Sequence, residues 1–392
     1  MTEKLMFSLL GSKIFGSPVE QACIDKLSEA GELSRLFELS AHHDMAHIIG
    51  AALSDIEIMG EITKEDKASL SKFENEFMKA VFRQSGIAFE LQEICKALEE
   101  AKIPHIPLKG AVIRALYPEP WMRTSCDVDV FVHKEDLDAA EEKLIRKLNY
   151  KLLKRGTHDV IFSCESGVNV ELHFTLVEEG KANSANEVLK DVWDSAILTE
   201  GTEYRYEMSY PMFYFYHIAH MAKHFEYGGT GIRPILDLWL LDNKCEYDPE
   251  ERVALLKKGG LLTFAEYMRE LSLIWFSDKE LTHTFELLEE FILSGGAYGT
   301  FENRAAVQQK KKGGKLKYIL YRIWLPYKVL KDMYPILKKH KWLYPFYQMR
   351  RWLGLLFSGK FFRACREFKA NNQLPRGRAI VAEELLEKME LV

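Results

Sequence analysis

Between Ile103 and Val132 the hydrophobic pattern changes from a helical to a strand-like period, and this change constrains the fold most strongly. The run IPHIPL predicts a strand with prolines at its edge, because proline cannot donate a hydrogen bond inside a sheet. A turn at Lys109-Gly110 follows, and residues 110–116 are typical of a short helix that a Tyr-Pro-Glu-Pro sequence ends. Residues 126–132 then alternate like a strand. The order is therefore strand, glycine turn, helix, acidic strand.

The acidic strand carries its acidic and its valine side chains on opposite faces. Because successive strand residues point to opposite faces, Asp127 and Asp129 share one face, and the valines of the run share the other. The later run from Val168 to Phe174 alternates in the same way and places Glu171 among polar neighbours on one face. Two acidic strands are therefore available to build one site.

Helical periodicity covers the chain on both sides of this unit. Thr63 begins a capping-box pattern and a long helix that ends near Ala101. Residues 134–148 form a further helical pattern that could cover the sheet, residues 150–153 and 159–163 are β-rich, and the helical pattern returns after 188. We predict an α+β fold, a small mixed sheet flanked by N-terminal and C-terminal α-helical regions. The expected domains are 1–101 (helical), 102–200 (α+β core), 201–306 (helical) and 307–392 (basic, aromatic-rich, helical).

Composition restricts the class of protein. The chain has 392 residues, 47% of them hydrophobic and 28% charged, which is globular composition and long enough for two or three domains. A net charge of -5 and a pI near 6.2 argue against a surface that binds nucleic acid throughout. Six cysteines without a CxxC pair, no signal-peptide pattern and no apolar run of ~18 residues predict a soluble cytoplasmic protein.

The acidic strands predict a metal site. Magnesium prefers oxygen ligands, and nucleotidyl transfer uses divalent ions that clamp the entering and leaving oxygens. Asp127 and Asp129 are spaced to share such a site, and Glu171 is a third carboxylate that could bind metal and take the proton of an attacking hydroxyl. These three residues are the predicted catalytic and metal-binding set.

The turn before the acidic strand predicts a phosphate contact. Gly110 permits close approach of the backbone to a phosphate, and the helix after it offers amide groups and a positive dipole end. Lys109 and Arg123 add charge that could neutralise phosphate oxygens, and Arg114 is a weaker candidate of the same kind. The expected ligand is the polyphosphate of a nucleoside triphosphate.

Each of these residues also has a structural interpretation. Asp127 and Asp129 could be ordinary exposed strand residues, and Glu171 could pair with a basic neighbour. His173 is expected to pack or to support a ligand rather than to be one. Asp237 could pair with an arginine and support the cleft.

Histidines elsewhere raise other metal hypotheses. His43 and His47 are four residues apart, but no nearby acid completes a metal motif, so a structural or surface role is favoured. His217, His220 and His224 fall near one helical face, yet aromatics separate them and no obvious acid accompanies them. We expect neither group to bind zinc.

The C-terminal region mixes basic and aromatic residues. Residues 308–315 (QQKKKGGK) are typical of a linker or exposed turn. Lysines, arginines, tyrosines and tryptophans alternate over residues 318–352, a composition that suits nucleic-acid binding or a membrane surface. Amphipathic helices with a solvated basic face are the favoured interpretation.

The segments LKGAVIRALYPEP, WMRTSCDVDVFV and VNVELHF resemble an uncharacterised bacterial nucleotidyltransferase-like family of the DNA polymerase beta superfamily. HIAHMAKHF followed by GIRPILDLWLL is similar to the helical region of that family, and LFELSAHHDMAHIIGAAL is similar to its leading helices. The resemblance spans most of the chain and is most specific over residues 103–240. It implies a polymerase-beta-like nucleotidyltransferase sheet with helices.

The resemblance implies a role for two sets of residues, the metal ligands Asp127, Asp129 and Glu171 and the nucleotide contacts Lys109, Gly110 and Arg123. The sequence departs from the family pattern at two positions. Ala111 stands where serine or glycine is common, so Ser125 or Thr124 is expected to supply the hydroxyl. Cys126 stands where serine often precedes the first aspartate.

These features predict transfer of a nucleoside monophosphate from an NTP to a hydroxyl of an acceptor, with Mg2+ or Mn2+ as cofactor and pyrophosphate as product. The acceptor could be a small molecule, RNA or protein. A non-catalytic nucleotide-binding regulatory module on the same fold is one alternative. A nucleic-acid or membrane-surface adaptor that acts through the basic C-terminal region is another.

Overall fold

A computed structural model describes residues 2–58, 62–177, 184–277, 279–357 and 361–391 and has an α+β fold. The α-helices described are α1 (Thr2–Phe15), α2 (Gln21–Lys26), α3 (Glu32–His42), α4 (Ala46–Leu53), α5 (Lys64–Glu100), α6 (Gly110–Ile113), α7 (Leu137–Arg146), α8 (Ala185–Leu189), α9 (Tyr210–Glu226), α10 (Arg233–Lys244), α11 (Pro249–Lys258), α12 (Leu262–Phe276), α13 (His283–Gly295), α14 (Phe301–Lys311), α15 (Lys315–Ile323), α16 (Tyr327–Met333), α17 (Ile336–Lys339), α18 (Tyr344–Phe357), α19 (Phe361–Gln373) and α20 (Arg376–Lys388). The strands are β1 (His105–Pro107), β2 (Asp127–Val132), β3 (Lys151–Arg155), β4 (Asp159–Ser163), β5 (Asn169–His173), β6 (Ala196–Leu198) and β7 (Tyr206–Met208).

Five strands form a mixed sheet in the order β1-β2-β5-β4-β3. Strands β2 and β5 run parallel, and the other neighbours are antiparallel. The parallel register places Asp129 opposite Glu171. The mixed sheet and the α+β class confirm the prediction, and the two acidic strands are neighbours at its centre.

The two faces of strand β2 point into different cores, as the alternation predicted. The three valines of β2 pack in one cluster with Leu98 of α5 and Leu144 of α7, so these helices cover that face of the sheet. Phe131 belongs to the larger core of the helical region, which includes most of α9. The face that carries Asp127 and Asp129 is therefore turned toward α9.

The long helix α5 begins where the capping-box pattern predicted. The Thr63 hydroxyl accepts a hydrogen bond from the Asp66 amide, which satisfies one of the unpaired amides at a helix start. The Asp66 carboxylate also accepts from the amides of Gly31 and Ser34. The start of α5 is thereby joined to α3 of the N-terminal region.

Two sequence predictions need correction. The helical pattern expected after 188 is interrupted, because β6 and β7 form a two-stranded antiparallel sheet, and the Tyr204 carbonyl before β7 accepts from the His105 amide of β1. Their three-residue strands are too short for alternation to distinguish them from helix. The predicted linker at 308–315 is helical through Lys311, because Gln308 and Gln309 bond to Glu226 and Asn371 of neighbouring helices. The turn is confined to residues 312–314.

Within the described residues, no helix combines the length and the apolar character that crossing a membrane requires. All six cysteines are free thiols. This agrees with the expectation that cysteine spacing does not encode a disulfide framework.

Candidate active site

Asp129 and Glu171 lie side by side because β2 and β5 pair in parallel register. His173 lies two residues after Glu171 on the same face of β5. One ligand atom from each of Asp129, Glu171 and His173 lies within 4.8 Å of the others, which is compatible with a shared metal ion. Two of these are predicted site residues, and the third is the histidine expected to support them.

Asp129 is held ionised by two donors. Lys109 Nζ lies 2.7 Å from Asp129 Oδ1, and His173 Nε2 lies 2.8 Å from the same oxygen. Burial alone would raise the pKa of Asp129, but Lys109 and the hydrogen bond from His173 outweigh burial and hold that pKa below its usual range. Burial opposes a charged His173, whereas its bonds to Asp129 and Glu171 raise the His173 pKa. The buried carboxylate is thus already charged, as a metal ligand must be.

Asp127 lies at the start of β2 and is less enclosed than Asp129. Burial and the adjacent Asp129 charge raise the pKa of Asp127. Its carboxylate is not among the atoms that meet within 4.8 Å. The ionised form of Asp127 is therefore disfavoured by its burial and by the negative charge of Asp129.

The Lys109-Gly110 turn is strained. Lys109 has φ 46° and ψ -116°, a conformation that residues with a side chain seldom adopt. This backbone aims the Lys109 ammonium at Asp129, and 24% of the Lys109 side chain remains exposed. A Cβ at Gly110 would lie 3.2 Å from Arg114 Nη2, so glycine leaves room for that guanidinium. Helix α6 after the turn has four residues, too few for a substantial dipole.

Arg123 is bound within the protein. Its Nε lies 3.0 Å from both carboxylate oxygens of Asp237, and its Nη2 lies 2.9 Å from Asp237 Oδ2. Its Nη1 donates to the Thr124 carbonyl at 3.1 Å, and the Tyr117 hydroxyl donates to Asp237 at 2.8 Å. Contact between Arg123 and a nucleotide would require some of these bonds to break. The pairing of Asp237 with an arginine agrees with the structural interpretation of Asp237.

Ser125 orients the start of β2. Its hydroxyl accepts from Arg114 Nη2 at 2.8 Å and donates to the Asp127 carbonyl at 3.0 Å. Arg114 Nε also donates to the Arg123 carbonyl at 3.0 Å. In this arrangement Ser125 and Arg114 position the backbone beneath Asp127, and a nucleotide contact for Ser125 stays a prediction.

A further polar network joins this segment to the helices around it. Asp44, which follows α3, accepts from the Thr124 hydroxyl at 3.1 Å and from Arg233 Nη1 at 3.0 Å. Arg233 Nη1 also donates to the Thr124 carbonyl at 2.9 Å. Asp44 has φ 58°, which aspartate tolerates better than most residues. The N-terminal helices and α10 therefore fix the loop that leads into β2.

A cleft of about 160 Å³ opens beside the carboxylates. Its walls include Lys109, Glu171 and His173 from the sheet side, and α9 contributes Tyr216, His220 and Lys223. Motif reasoning missed Tyr216 and Lys223, and it considered His220 only as part of a histidine cluster. Their spacing of four and three places them on one helical face, and that spacing is the signal that could have identified them.

The histidines of the two other predicted clusters contact carbonyl groups or each other. His43 Nε2 lies 3.1 Å from the Leu293 carbonyl, and His47 Nε2 lies 2.9 Å from the Met122 carbonyl. His217 Nε2 lies 2.8 Å from the Pro234 carbonyl, and the Nε2 atoms of His220 and His224 are 3.2 Å apart. Among the described residues, neither group forms a three-ligand cluster. The expectation that neither group binds zinc stays a prediction.

The donor set of the candidate site fits a divalent metal. Asp129 and Glu171 supply the carboxylate oxygens that Mg2+ and Mn2+ prefer, and Asp127 is available at the edge. His173 can act as a nitrogen ligand or keep its bond to Asp129 and orient that carboxylate. The negative charge that raises the Asp127 pKa is also the charge that a cation would neutralise.

Comparison with known proteins agrees with this geometry. Residues 29–277 match the model of a family described as uncharacterised nucleotidyltransferase, which covers more than half of the chain and includes every candidate site residue. Among curated proteins and among solved structures, no match to the chain is found. The matched region contains the carboxylate pair on adjacent strands and the lysine turn before them. The chain belongs to the uncharacterised nucleotidyltransferase family and is a nucleotidyltransferase.

Proposed function

We propose that the protein transfers a nucleoside monophosphate from an NTP to a hydroxyl of an acceptor, with Mg2+ or Mn2+, and releases pyrophosphate. In this reaction the acceptor oxygen bonds to the α-phosphorus as the bond from that phosphorus to the pyrophosphate oxygen breaks. One observation carries the proposal. The parallel register of β2 and β5 sets Asp129 beside Glu171, and the charged Lys109 side chain pairs with Asp129. When bound, divalent ions stabilise the charge on the entering and leaving oxygens.

The roles of the carboxylates follow from their surroundings. We assign Asp127, Asp129 and Glu171 as the residues that hold the metal. Asp129 is kept ionised by Lys109 and His173, whereas Asp127 needs a cation to offset its neighbours. The side chain of Glu171 is 24% exposed and borders the cleft, which suits it to accept the proton of the attacking hydroxyl.

We propose that the triphosphate lies along the cleft beside α9. Lys109 and Lys223 both line this cleft, and their charges match those of phosphate oxygens. Gly110 leaves room for the Arg114 guanidinium at the turn, and Ser125 and Arg114 hold the start of β2 in place. Arg123 supports the site through Asp237 in this proposal.

A second cleft is our candidate for the acceptor. It has a volume of about 470 Å³ and lies between α5 and residues 111–115, so it borders the Gly110 turn. His105 lines it and is 0% exposed, and its Nε2 has no hydrogen-bond partner among the described residues. Because His105 Nδ1 bonds to the Ile103 carbonyl, Nε2 is an acceptor without a proton, and a ligand hydroxyl or amine would reach this buried atom only if the wall of the cleft moved.

Mass spectrometry tests the function directly. The purified chain is incubated with each NTP and with Mg2+ or Mn2+, alone and with candidate small molecules, RNA or protein. We expect a mass increase equal to one nucleoside monophosphate on an acceptor or on the chain itself, together with pyrophosphate. The Asp127→Asn/Asp129→Asn double variant should give none. Equal labelling by that variant, or NTP hydrolysis without any transferred group, would overturn the proposal.

A further inference from the structure

Helix α18 exposes large apolar side chains to solvent and buries polar ones. Its two buried side chains among the described residues are polar, since Gln348 is 1% exposed and Arg351 is 8% exposed, while Tyr344 and Tyr347 of the same helix are half-buried against a small leucine cluster. Its solvent face carries a stripe of large apolar side chains, which we call the α18 stripe: Phe346 (61% exposed), Met349 (64%), Leu353 (53%) and Leu356 (52%). A helix in a soluble protein normally has the opposite arrangement.

The buried polar side chains have a local explanation. Gln348 Nε2 donates to the Leu325 carbonyl at 2.5 Å, and Arg351 Nη2 donates to the Ile323 carbonyl at 2.8 Å. The Ile323 carbonyl lies at the end of α15, where a helix leaves carbonyl groups without partners, and Leu325 lies in the connection that follows. These bonds therefore account for the buried polar side chains of α18, whereas no described part of the chain covers the exposed apolar stripe.

Other apolar side chains nearby are also exposed. Leu316, Leu320 and Ile323 of α15 follow one another at helical spacing and are 75%, 64% and 42% exposed. Trp342, just before α18, is 69% exposed and its ring contacts that of Phe346. The buried hydrophobic cluster in this region has three buried members among the described residues, leucines 325, 330 and 337. So much exposed apolar surface marks an interaction site.

The charge of residues 315–357 differs from that of the whole chain. This segment contains ten lysines and arginines and one acid, Asp332, whereas the full chain carries a net charge of -5. The helices thus combine exposed apolar stripes with strong local positive charge. The expected basic solvated face is therefore only part of the solvent-facing surface, because the exposed face of α18 is mainly apolar.

We propose that residues 315–357 bind the surface of an anionic membrane. The α18 stripe would enter the boundary between headgroups and acyl chains, and lysines and arginines would contact anionic headgroups. Tryptophan and tyrosine, which are frequent in this segment, favour that boundary. The exposed apolar groups are mainly aliphatic and do not stack on bases, which argues against nucleic acid. Two copies of so basic a face would repel each other, which argues against a dimer. A lipid surface matches both the apolar stripe and the charge.

Co-sedimentation of the full chain with vesicles tests this proposal at low salt. We expect binding to vesicles of phosphatidylcholine with phosphatidylglycerol, and little binding to phosphatidylcholine alone. Phe346→Gln/Leu353→Gln should lower partitioning on the order of tenfold, because two apolar side chains no longer insert. Met78→Gln/Phe82→Gln is the matched control, since these residues are 60% and 84% exposed on α5.

A charge series separates attraction from insertion. Each positive charge removed near an anionic surface should weaken binding about fivefold. Lys338→Glu/Lys339→Glu should therefore reduce partitioning strongly, whereas Lys64→Glu/Lys67→Glu at the start of α5 should not. Circular dichroism checks that every variant is folded, and the exposed positions of these side chains favour that outcome.

Several results would overturn the proposal. They are absence of binding to phosphatidylglycerol vesicles, equal binding by the α18 stripe variant, or an equal loss in the α5 control. Tighter retention on single-stranded RNA than on vesicles would point to nucleic acid. A concentration-dependent dimer that the Phe346→Gln/Leu353→Gln variant abolishes would point to a second copy of the chain.

Discussion

Two buried aspartates in this protein are paired with cations in different ways. Asp237 is 0% exposed and receives Arg123 through two nitrogens and Tyr117 through its hydroxyl, and the remaining Arg123 nitrogen bonds to a carbonyl. Asp129 is 4% exposed, but both of its donors, Lys109 and His173, bond to one oxygen. The first pair is saturated, whereas the second leaves carboxylate oxygen available and has further acids beside it.

This difference distinguishes an ion pair that stabilises the fold from a carboxylate that can bind a cation for the reaction. A saturated buried ion pair holds parts of the chain together, and it cannot exchange partners without leaving a charge buried and unpaired. An unsaturated carboxylate next to Glu171 and Asp127 can accept a cation with little rearrangement. We therefore place Asp237 and Arg123 in the support of the site, and Asp129 and its neighbours at its centre.

The largest expected effect is that of Asp127→Asn on transfer. Loss of a metal ligand removes several kcal/mol of transition-state stabilisation, so the rate should fall by about a thousandfold or more. Without metal, however, the variant should be as stable as the parent or more stable, because burial and Asp129 disfavour the Asp127 charge. Initial rates of nucleotide transfer and urea midpoints in chelator measure both effects. Asp138→Asn on the exposed side of α7 is the control, and a large stability loss in Asp127→Asn would contradict this assignment.

The second expected effect is the loss of stability in Arg123→Met. Removing one partner of a buried pair leaves the other charge uncompensated and typically costs about 3–5 kcal/mol. Urea unfolding should show this loss, and the double variant Arg123→Met/Asp237→Leu should recover part of it. If Arg123→Met kept full stability but lost affinity for NTP, Arg123 would be a nucleotide contact, as the sequence suggested.

The sequence predicted the local geometry of the site but not its long-range pairs. Strand alternation gave the faces of Asp127, Asp129 and Glu171, since that period is a property of the backbone. The partner of Arg123 is 114 residues away on α10, and no local pattern specifies that distance. Asp237 could be proposed as an arginine partner, but not as the partner of Arg123.

The same limit applies to the fold. The five strands of the mixed sheet and the start of α5 follow from period and capping, and the comparison with the family supports the nucleotidyltransferase class. Strands β6 and β7 were missed because three residues are too few to show alternation, and their pairing depends on tertiary contacts. The division into domains at 101, 200 and 306 stays a prediction, and the last of these boundaries falls within α14.

The pH dependence of the free energy of unfolding tests His43, a buried histidine outside the candidate site. Burial and the neighbouring His42 lower the pKa of His43 to about 4, from 6.5 in a free side chain. Between these values the unfolded chain binds a proton that the folded chain does not, so stability must fall as pH drops from 6.5 toward 4. The full shift corresponds to a loss of about 3 kcal/mol. Urea unfolding across this range should show a slope that His43→Gln flattens, and an unchanged slope in the variant would exclude His43 as its source.

His173 provides the smallest and most specific test. Its pKa is raised because it donates to Asp129, so it differs from His43, whose burial is not offset by a carboxylate. If His173 orients the Asp129 carboxylate, His173→Gln should weaken metal binding by about 10–100-fold, which is the usual cost of losing such a partner. Calorimetric titration with Mn2+ measures this effect, and His217→Gln, which bonds to a backbone carbonyl, is the matched control. Equal losses in both variants would mean that His173 acts through packing, and no loss in either would remove it from the site.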